Sequence, residues 1–436
     1  MKMKRVNLLV FSFFLLVFFL LSSCRKEPLD IVNPNSRNCQ TYSQQFEAVW
    51  NGMDQSYMFW ERDTVDWDAR YEEFQPVFAE FDSRPANQPV SWQEYYLAWN
   101  GLLQGLYDHH LYVRVWNPIG KYEAYISPGV NDYSHETDRR LQLNALRRVK
   151  GISHYTAFDP DNDYGIPGSY FCLLPGKTDD KKIAYFRFTN FYFNHLHDYV
   201  ELGYPNSVSA QAPVIAFYGP RYWEGIVSGD ACYANNDSIE GLIIDVRGNG
   251  GGELRDLQSL TASLSPVNVL MGYSRIKEGM GRLDYSAWTP YYLKPPARHI
   301  TTEKPIVVLA DINSASCAEL MTLFIKNLPN GTFIGERTYG ATCPLWPNSD
   351  YQHDIFYNGC FGDAYYGDQG TPYNRKLFSY FVYTSSFDFV DVDYNSLESV
   401  GVKPDIEVLY NYQGLTADPP IDNQLQRAIR FLHTGR

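Results

Sequence analysis

Apolar side chains recur at Phe46, Val49, Trp50, Met53 and Tyr57, the spacing of one helix face. A second such stripe, Phe74, Val77, Phe78 and Phe81, predicts a helix over about Tyr71 to Phe81, with Pro76 as a kink. A third helix starts at Ser91-Trp92-Gln93-Glu94, a capping box, and buries Tyr95, Trp99, Leu102 and Leu106. Asp108-His109-His110 closes this helical region before a predicted strand, Leu111 to Val115. Residues 117 to 180 are rich in Asp, Asn, Gly and Pro and carry no clear period. From Lys182 the pattern changes. Short apolar runs predict strands at Ile183 to Phe188, Val214 to Phe217, Leu242 to Val246, Ile306 to Leu309 and Thr332 to Ile334. Between them lie predicted helices at Leu254 to Leu264 and Cys317 to Leu328, the latter stopped by Pro329-Asn330-Gly331. Asp422 to Leu432 predicts a closing helix. Strand–helix alternation of this kind implies an α/β fold, a mainly parallel sheet covered by helices, preceded by a small helical domain.

The first residues read differently. Lys2, Lys4 and Arg5 precede an almost continuous apolar run, Val6 to Leu21, too short for a comfortable membrane span. These are the features of a signal peptide over 1–23, and the closing Leu21-Ser22-Ser23-Cys24 resembles the lipobox of bacterial lipoproteins. That resemblance implies lipidation of Cys24, attachment to the membrane through the lipid and a place in the bacterial cell envelope. Residues 24–40 then form a polar tether, 41–116 the helical domain, 117–180 a mixed linker region and 181–436 the α/β domain with its C-terminal helix.

The chain carries a formal net charge of −13, and −16 once Lys2, Lys4 and Arg5 are removed with the leader. An acidic surface without a basic stripe repels phosphate backbones, which excludes nucleic acid as a partner. Charged residues at 20% and hydrophobic ones at 44% are those of a folded chain. No Cys/His spacing suggests a metal. Cys343 and Cys360 flank a Pro/Asn/Asp-rich stretch and are candidates to staple it, the pairing being left open.

Chemistry concentrates at two strand ends. Ser316-Cys317-Ala318-Glu319 follows the Ile306 strand at a helix start, and Gly248-Asn249-Gly250-Gly251-Gly252 follows the Leu242 strand. A hydroxyl and bare backbone N–H groups at one sheet edge are what acyl transfer needs, a nucleophile and fixed donors for the oxyanion. Alone, Ser-x-x-Glu reads as a capping box. Successive glycines after a buried strand, however, mark a place where backbone approaches something closely. The run lacks the Lys-Ser/Thr of a phosphate-binding loop. Cys317, beside Ser316, reads as a small buried residue rather than a nucleophile.

With these residues in view, the chain resembles the C-terminal processing (tail-specific) peptidases and the tricorn protease. The resemblance rests on GLIIDVRGNGGG (241 to 252), NSASCAE (313 to 319), IGERTYG (334 to 340) and ESVGVKPDIEV (398 to 408), in family order. It implies a crotonase-like α/β core and a serine peptidase that needs no cofactor. The processing branch places a lysine base just after the T-x-G element, and Ala341-Thr342 stands there instead. The tricorn-like branch takes a histidine from before the core and a glutamate after it. The implied catalytic residues are therefore Ser316, His110 and Glu398, with Gly251 or Gly250 and Cys317 supplying the oxyanion hole. His110 is preferred to His109 by the Asp-x-His pattern. His109 occupies the place where the tricorn protease has a serine relaying to its glutamate. Residues 117 to 180 lack the carboxylate-binding loop and Gly-Asp turn of a PDZ module, so the implied partner is a peptide or unfolded protein without a required free C-terminus. Two other readings share this fold, a catalytically inactive peptide-binding lipoprotein and an acyl-CoA enzyme. The second has no use for an envelope anchor.

Overall fold

A computed structural model describes residues 39–127, 152–154, 173–180, 182–191, 239–262, 264–265, 267–279, 281–293, 304–343, 361–362 and 377–436. The leader, Cys24, most of the tether, the predicted strand Val214 to Phe217, Cys360 and most of 128–172 lie outside the described residues. No helix among the described residues is long and apolar enough to cross a membrane.

Three sheets organise the described chain. The largest is built on β5 (Ile183–Phe188), β6 (Gly241–Asp245), β9 (Ile306–Ala310), β10 (Gly331–Gly335) and β14 (Ile406–Glu407), in the order β14-β10-β9-β6-β5. These five are mutually parallel, and β4 (Leu173–Thr178) and β3 (Ile152–His154) extend the edge antiparallel. Alternate strand residues enter two separate cores. Ile183, Tyr185, Ile243, Val307, Leu309 and Ile334 meet the Leu425, Ala428 and Leu432 stripe of α7 (Asn423–Thr434), which follows the one-turn α6 (Tyr412–Leu415). Ala184, Phe186, Leu242, Ile244, Ile306 and Val308 face the core shared with α4 (Leu254–Ala262) and α5 (Cys317–Lys326). Burial on both faces explains why these strands read as continuous apolar runs rather than alternating ones.

The helical region forms as its periodicity predicts, with α1 (Tyr42–Ser56), α2 (Trp67–Ser83, containing Pro76) and α3 (Trp92–Leu103). The Ser91/Glu94 capping box is present at the start of α3. These helices lie against a four-stranded antiparallel sheet in the order β11-β12-β1-β2. Its strands are β1 (Tyr112–Asn117), β2 (Tyr122–Ile126), β11 (Phe361–Gly362) and β12 (Tyr380–Tyr383), so the two ends of the chain meet in it. Buried Gln45 of α1 donates to the carbonyls of Trp116 and Ser379 and accepts from the Tyr95 hydroxyl, tying helix to both strands. A third sheet, β13 (Asp388–Val390), β7 (Val269–Arg275) and β8 (Thr289–Leu293), flanks the core.

Candidate active site

Because β6 and β9 are adjacent and parallel, with Asp245 opposite Leu309, the loops that follow them leave the same edge of the sheet. Polar clasps join these loops. Gly248 N–H donates to Asp311 Oδ1 (2.9 Å), Ala315 N–H to the Asn249 carbonyl (2.9 Å) and Ser314 Oγ to the Val246 carbonyl (2.8 Å). The glycine loop is held from beneath by buried charges. Burial by itself raises the Asp245 carboxyl, but Arg187 and Arg247 beside it hold it well below the usual carboxylate range. Arg247 pairs with both Asp245 (2.6 Å) and Asp422 (2.9 Å), the cap of α7.

Ser316 sits at the N-cap of α5 with φ 56° and ψ −121°, a left-handed conformation costly for a residue with a Cβ. A strained strand-to-helix turn is also how a nucleophile elbow presents a serine hydroxyl. Gly251, at φ +96°, lies directly under it. A Cβ there would stand 2.6 Å from Ser316 Cβ and 2.9 Å from the Ala315 carbonyl oxygen, so only glycine fits. The N–H of Gly251 donates to Asn249 Oδ1 (2.8 Å). Among the described residues the N–H groups of Gly250 and of Cys317, at the start of α5, have no acceptor. Of the two glycines named from the sequence, Gly251 lies against the serine turn but has its N–H committed to Asn249, and Gly250 keeps an uncommitted N–H. The Cys317 thiol is buried, lies 3.1 Å from the Gly252 carbonyl oxygen, and is pushed up by burial far from the thiolate form.

Glu319 is more than a cap. Its buried carboxylate accepts from Ser316 N–H (3.1 Å), Thr338 Oγ1 (2.5 Å), Gly340 N–H (2.7 Å) and Ala341 N–H (2.7 Å). Burial pushes its carboxyl up to about 7, against these hydrogen bonds, which lower it. The Ser-x-x-Glu spacing pointed to the first contact, whereas the other three come from residues remote in sequence.

The histidines stand on the turn before β1. Asp108, fully buried, accepts from His110 N–H (2.8 Å), Thr384 Oγ1 (2.6 Å), and Ser385 N–H and Oγ (2.8 and 3.0 Å). It fixes the turn to the end of β12, a role not read from the sequence. Glu398, also fully buried, accepts from His109 N–H (2.9 Å), Thr342 N–H (2.8 Å) and Cys343 N–H (2.9 Å), and burial raises its carboxyl well above the usual range. A His110 ring nitrogen and one oxygen each of Asp108 and Glu398 lie within 4.8 Å of one another. The lone pairs of both carboxylates are already directed at N–H and O–H donors, a donor set that suits turn-building better than cation binding. Both His110 ring nitrogens are buried without a hydrogen-bond partner, so neither the Ser316 hydroxyl nor Glu398 bonds the ring directly. Burial pushes the His110 imidazole below its ordinary value, Asp108 opposing. The His109 ring packs on Tyr339 at 5.2 Å between centroids, and Tyr339 N–H donates to the Ser314 carbonyl (3.0 Å). Cys343 is a free buried thiol, and its candidate partner Cys360 lies outside the described residues.

Residues 231–408 match the family model described as Peptidase family S41. The tricorn protease of Thermoplasma volcanium is 24% identical over 200 residues, 46% of this chain and 15% of that protein. The tricorn protease of Thermoplasma acidophilum is 24% identical over 202 residues, with the same coverage, so the chain spans about a seventh of the length of these relatives. Among solved structures, a protein from Parabacteroides merdae superposes with a TM-score of 0.57 at 20% identity, covering 91% of this chain and 98% of that one. Mature CPAF complexed with lactacystin superposes with a TM-score of 0.52 at 11% identity, covering 91% and 99%. These two likenesses concern the fold. The motifs on adjoining loops, the match over 231–408 and the aligned tricorn relatives together make this chain similar to Peptidase family S41, and to the tricorn proteases within it.

Proposed function

We propose that this chain is an envelope-anchored serine peptidase that cleaves peptides or unfolded proteins through an acyl-enzyme on Ser316. The observation that carries the reading is the strained Ser316, raised at the start of α5 over Gly251 and next to the uncommitted N–H of Cys317. In this reading His110, neutral at pH 7 because burial lowers it, takes the proton from Ser316 Oγ as the hydroxyl attacks the scissile carbonyl. The oxyanion is received by the N–H groups of Cys317 and Gly250, helped by the positive end of α5, each donor contributing on the order of 10²–10³ in rate. Gly251 makes room for that approach. The proton on His110 passes to the leaving amine, and a water activated by the same ring hydrolyses the ester. Glu398 acts through the backbone N–H of His109, fixing the histidine turn. Unpartnered ring nitrogens require His110 and Ser316 to close to hydrogen-bond reach when substrate binds, a tightening common to serine hydrolases. The Cys24 lipid holds the enzyme to the membrane.

The test is digestion of a mixed peptide library by the full chain in detergent, beside Ser316→Ala and His110→Ala, with products read by mass spectrometry. Cleavage lost in both variants supports the reading. Absence of cleavage by the unmodified chain replaces it with the inactive peptide-binding lipoprotein, which the open Ser316–His110 geometry would then explain. Cys24→Ala is expected to move the protein from the membrane to the soluble fraction.

A further inference from the structure

Four successive backbone amides, Gly340 to Cys343, point to two buried carboxylates. Gly340 and Ala341 donate to Glu319, and Thr342 and Cys343 donate to Glu398. On its other side Glu319 takes the Ser316 N–H, and Glu398 takes the His109 N–H. The loop is braced from outside as well. Ser399 N–H donates to the Gly340 carbonyl (2.7 Å), and Thr338 Oγ1 accepts Val402 N–H (2.7 Å). We propose that Glu319 is a positioning residue for the nucleophile, and that residues 340–343 form a strut whose amides, shared two and two with Glu398, hold the serine turn and the histidine turn in one fixed relation. The proposal rests on the peptidase reading for its effect on rate, but not for the hydrogen bonds themselves.

The chemistry favours this over a plain helix cap. A cap needs one acceptor for its own helix, whereas here one carboxylate meets four donors, three of them from the loop after β10. Burying a carboxylate is costly unless its donors are all in place, so the ionised form enforces the geometry of everything bonded to it. Thr338, facing it from the loop, does not titrate, and Glu398, across the strut, is the titratable group that senses Glu319. Losing the proton from Glu319 therefore completes the clamp, and regaining it removes acceptor capacity that four donors require.

The test combines kinetics with amide exchange on the full chain in detergent. Glu319→Gln replaces one acceptor oxygen by an N–H₂ group facing N–H donors. Its expected effect is a fall in kcat of about 10–100-fold with KM within about twofold, as misplacement of a reacting group produces. The acid limb of the wild-type kcat profile is expected near pH 7, where Glu319 gains its proton, and to shift to lower pH in Glu319→Gln, leaving the histidine. Hydrogen exchange is expected to speed up at Ser316, Gly340 and Ala341 while Thr342 and Cys343 stay protected. Thr338→Val, which removes one donor at nearly constant shape, is expected to reproduce a smaller part of the kcat loss and serves if Glu319→Gln does not fold. Unchanged kcat in either folded variant, or exchange at Gly340 and Ala341 as fast as in an open loop of the wild type, overturns the proposal. A wild-type chain that protects these amides yet cleaves nothing upholds the strut and removes the peptidase reading.

Discussion

At the scale of single residues, strain is located where the chemistry is proposed. Ser316 occupies φ 56° while its neighbours in α5 are ordinary helix, and its amide and the Gly251 contact keep it there. Such a residue stores on the order of 1–3 kcal/mol, which glycine would release at the cost of about 0.5–1 kcal/mol of extra chain entropy. Ser316→Gly is therefore expected to be as stable as the wild type or about 1 kcal/mol more stable, while Ser316→Ala keeps the strain and gains nothing. Urea midpoints of the two variants, both inactive, check this. Equal destabilisation of both would mean that the serine turn is not strained.

At the scale of elements, the glycine loop and α7 are linked by charge. Arg247 and Asp245 are wholly buried, and Arg247 reaches Asp422, whose carboxylate also accepts the Leu425 N–H at the start of α7. Removing one member of a buried network leaves its partners uncompensated, so Arg247→Met is expected to cost about 3–5 kcal/mol, measured by chemical denaturation. The parallel strands β5, β6, β9 and β10 and the helices α1, α3, α5 and α7 were legible in the sequence because each carries its own signal, an apolar run, a 3.6-residue stripe or a cap, whereas the two-residue β14 carries none. The pairing of β1 with β12 was not, because Tyr112 and Tyr383 meet through contacts that no local pattern encodes. The same limit applies to the site. Ser316 and the glycines announced themselves by residue type and place, whereas Glu319 read as a cap and Asp108 as part of a histidine motif. Their decisive partners, Gly340, Ala341, Thr384 and Ser385, are far along the chain.

At the scale of the whole molecule, the helical region is not a detachable accessory. Its buried side chains share one core with α4, α5 and the sheet, and Gln45 bonds strands from both ends of the chain. A fragment of residues 39–127 is accordingly expected to remain unfolded, since β1 without β12 exposes an apolar edge and Asp108 loses three of its four donors. Circular dichroism of that fragment, and a single urea transition for the full chain, are the checks.

The meeting of chain ends also sets an order in time. Synthesis delivers the histidine turn first, the serine later, and the residues that anchor the turn, Thr384, Ser385 and Glu398, near the end. A nascent chain in which these anchors are still missing holds its nucleophile without a seated base. On the proposed reading the enzyme is thus harmless to its own makers until residues 384 to 398 have been made and seated.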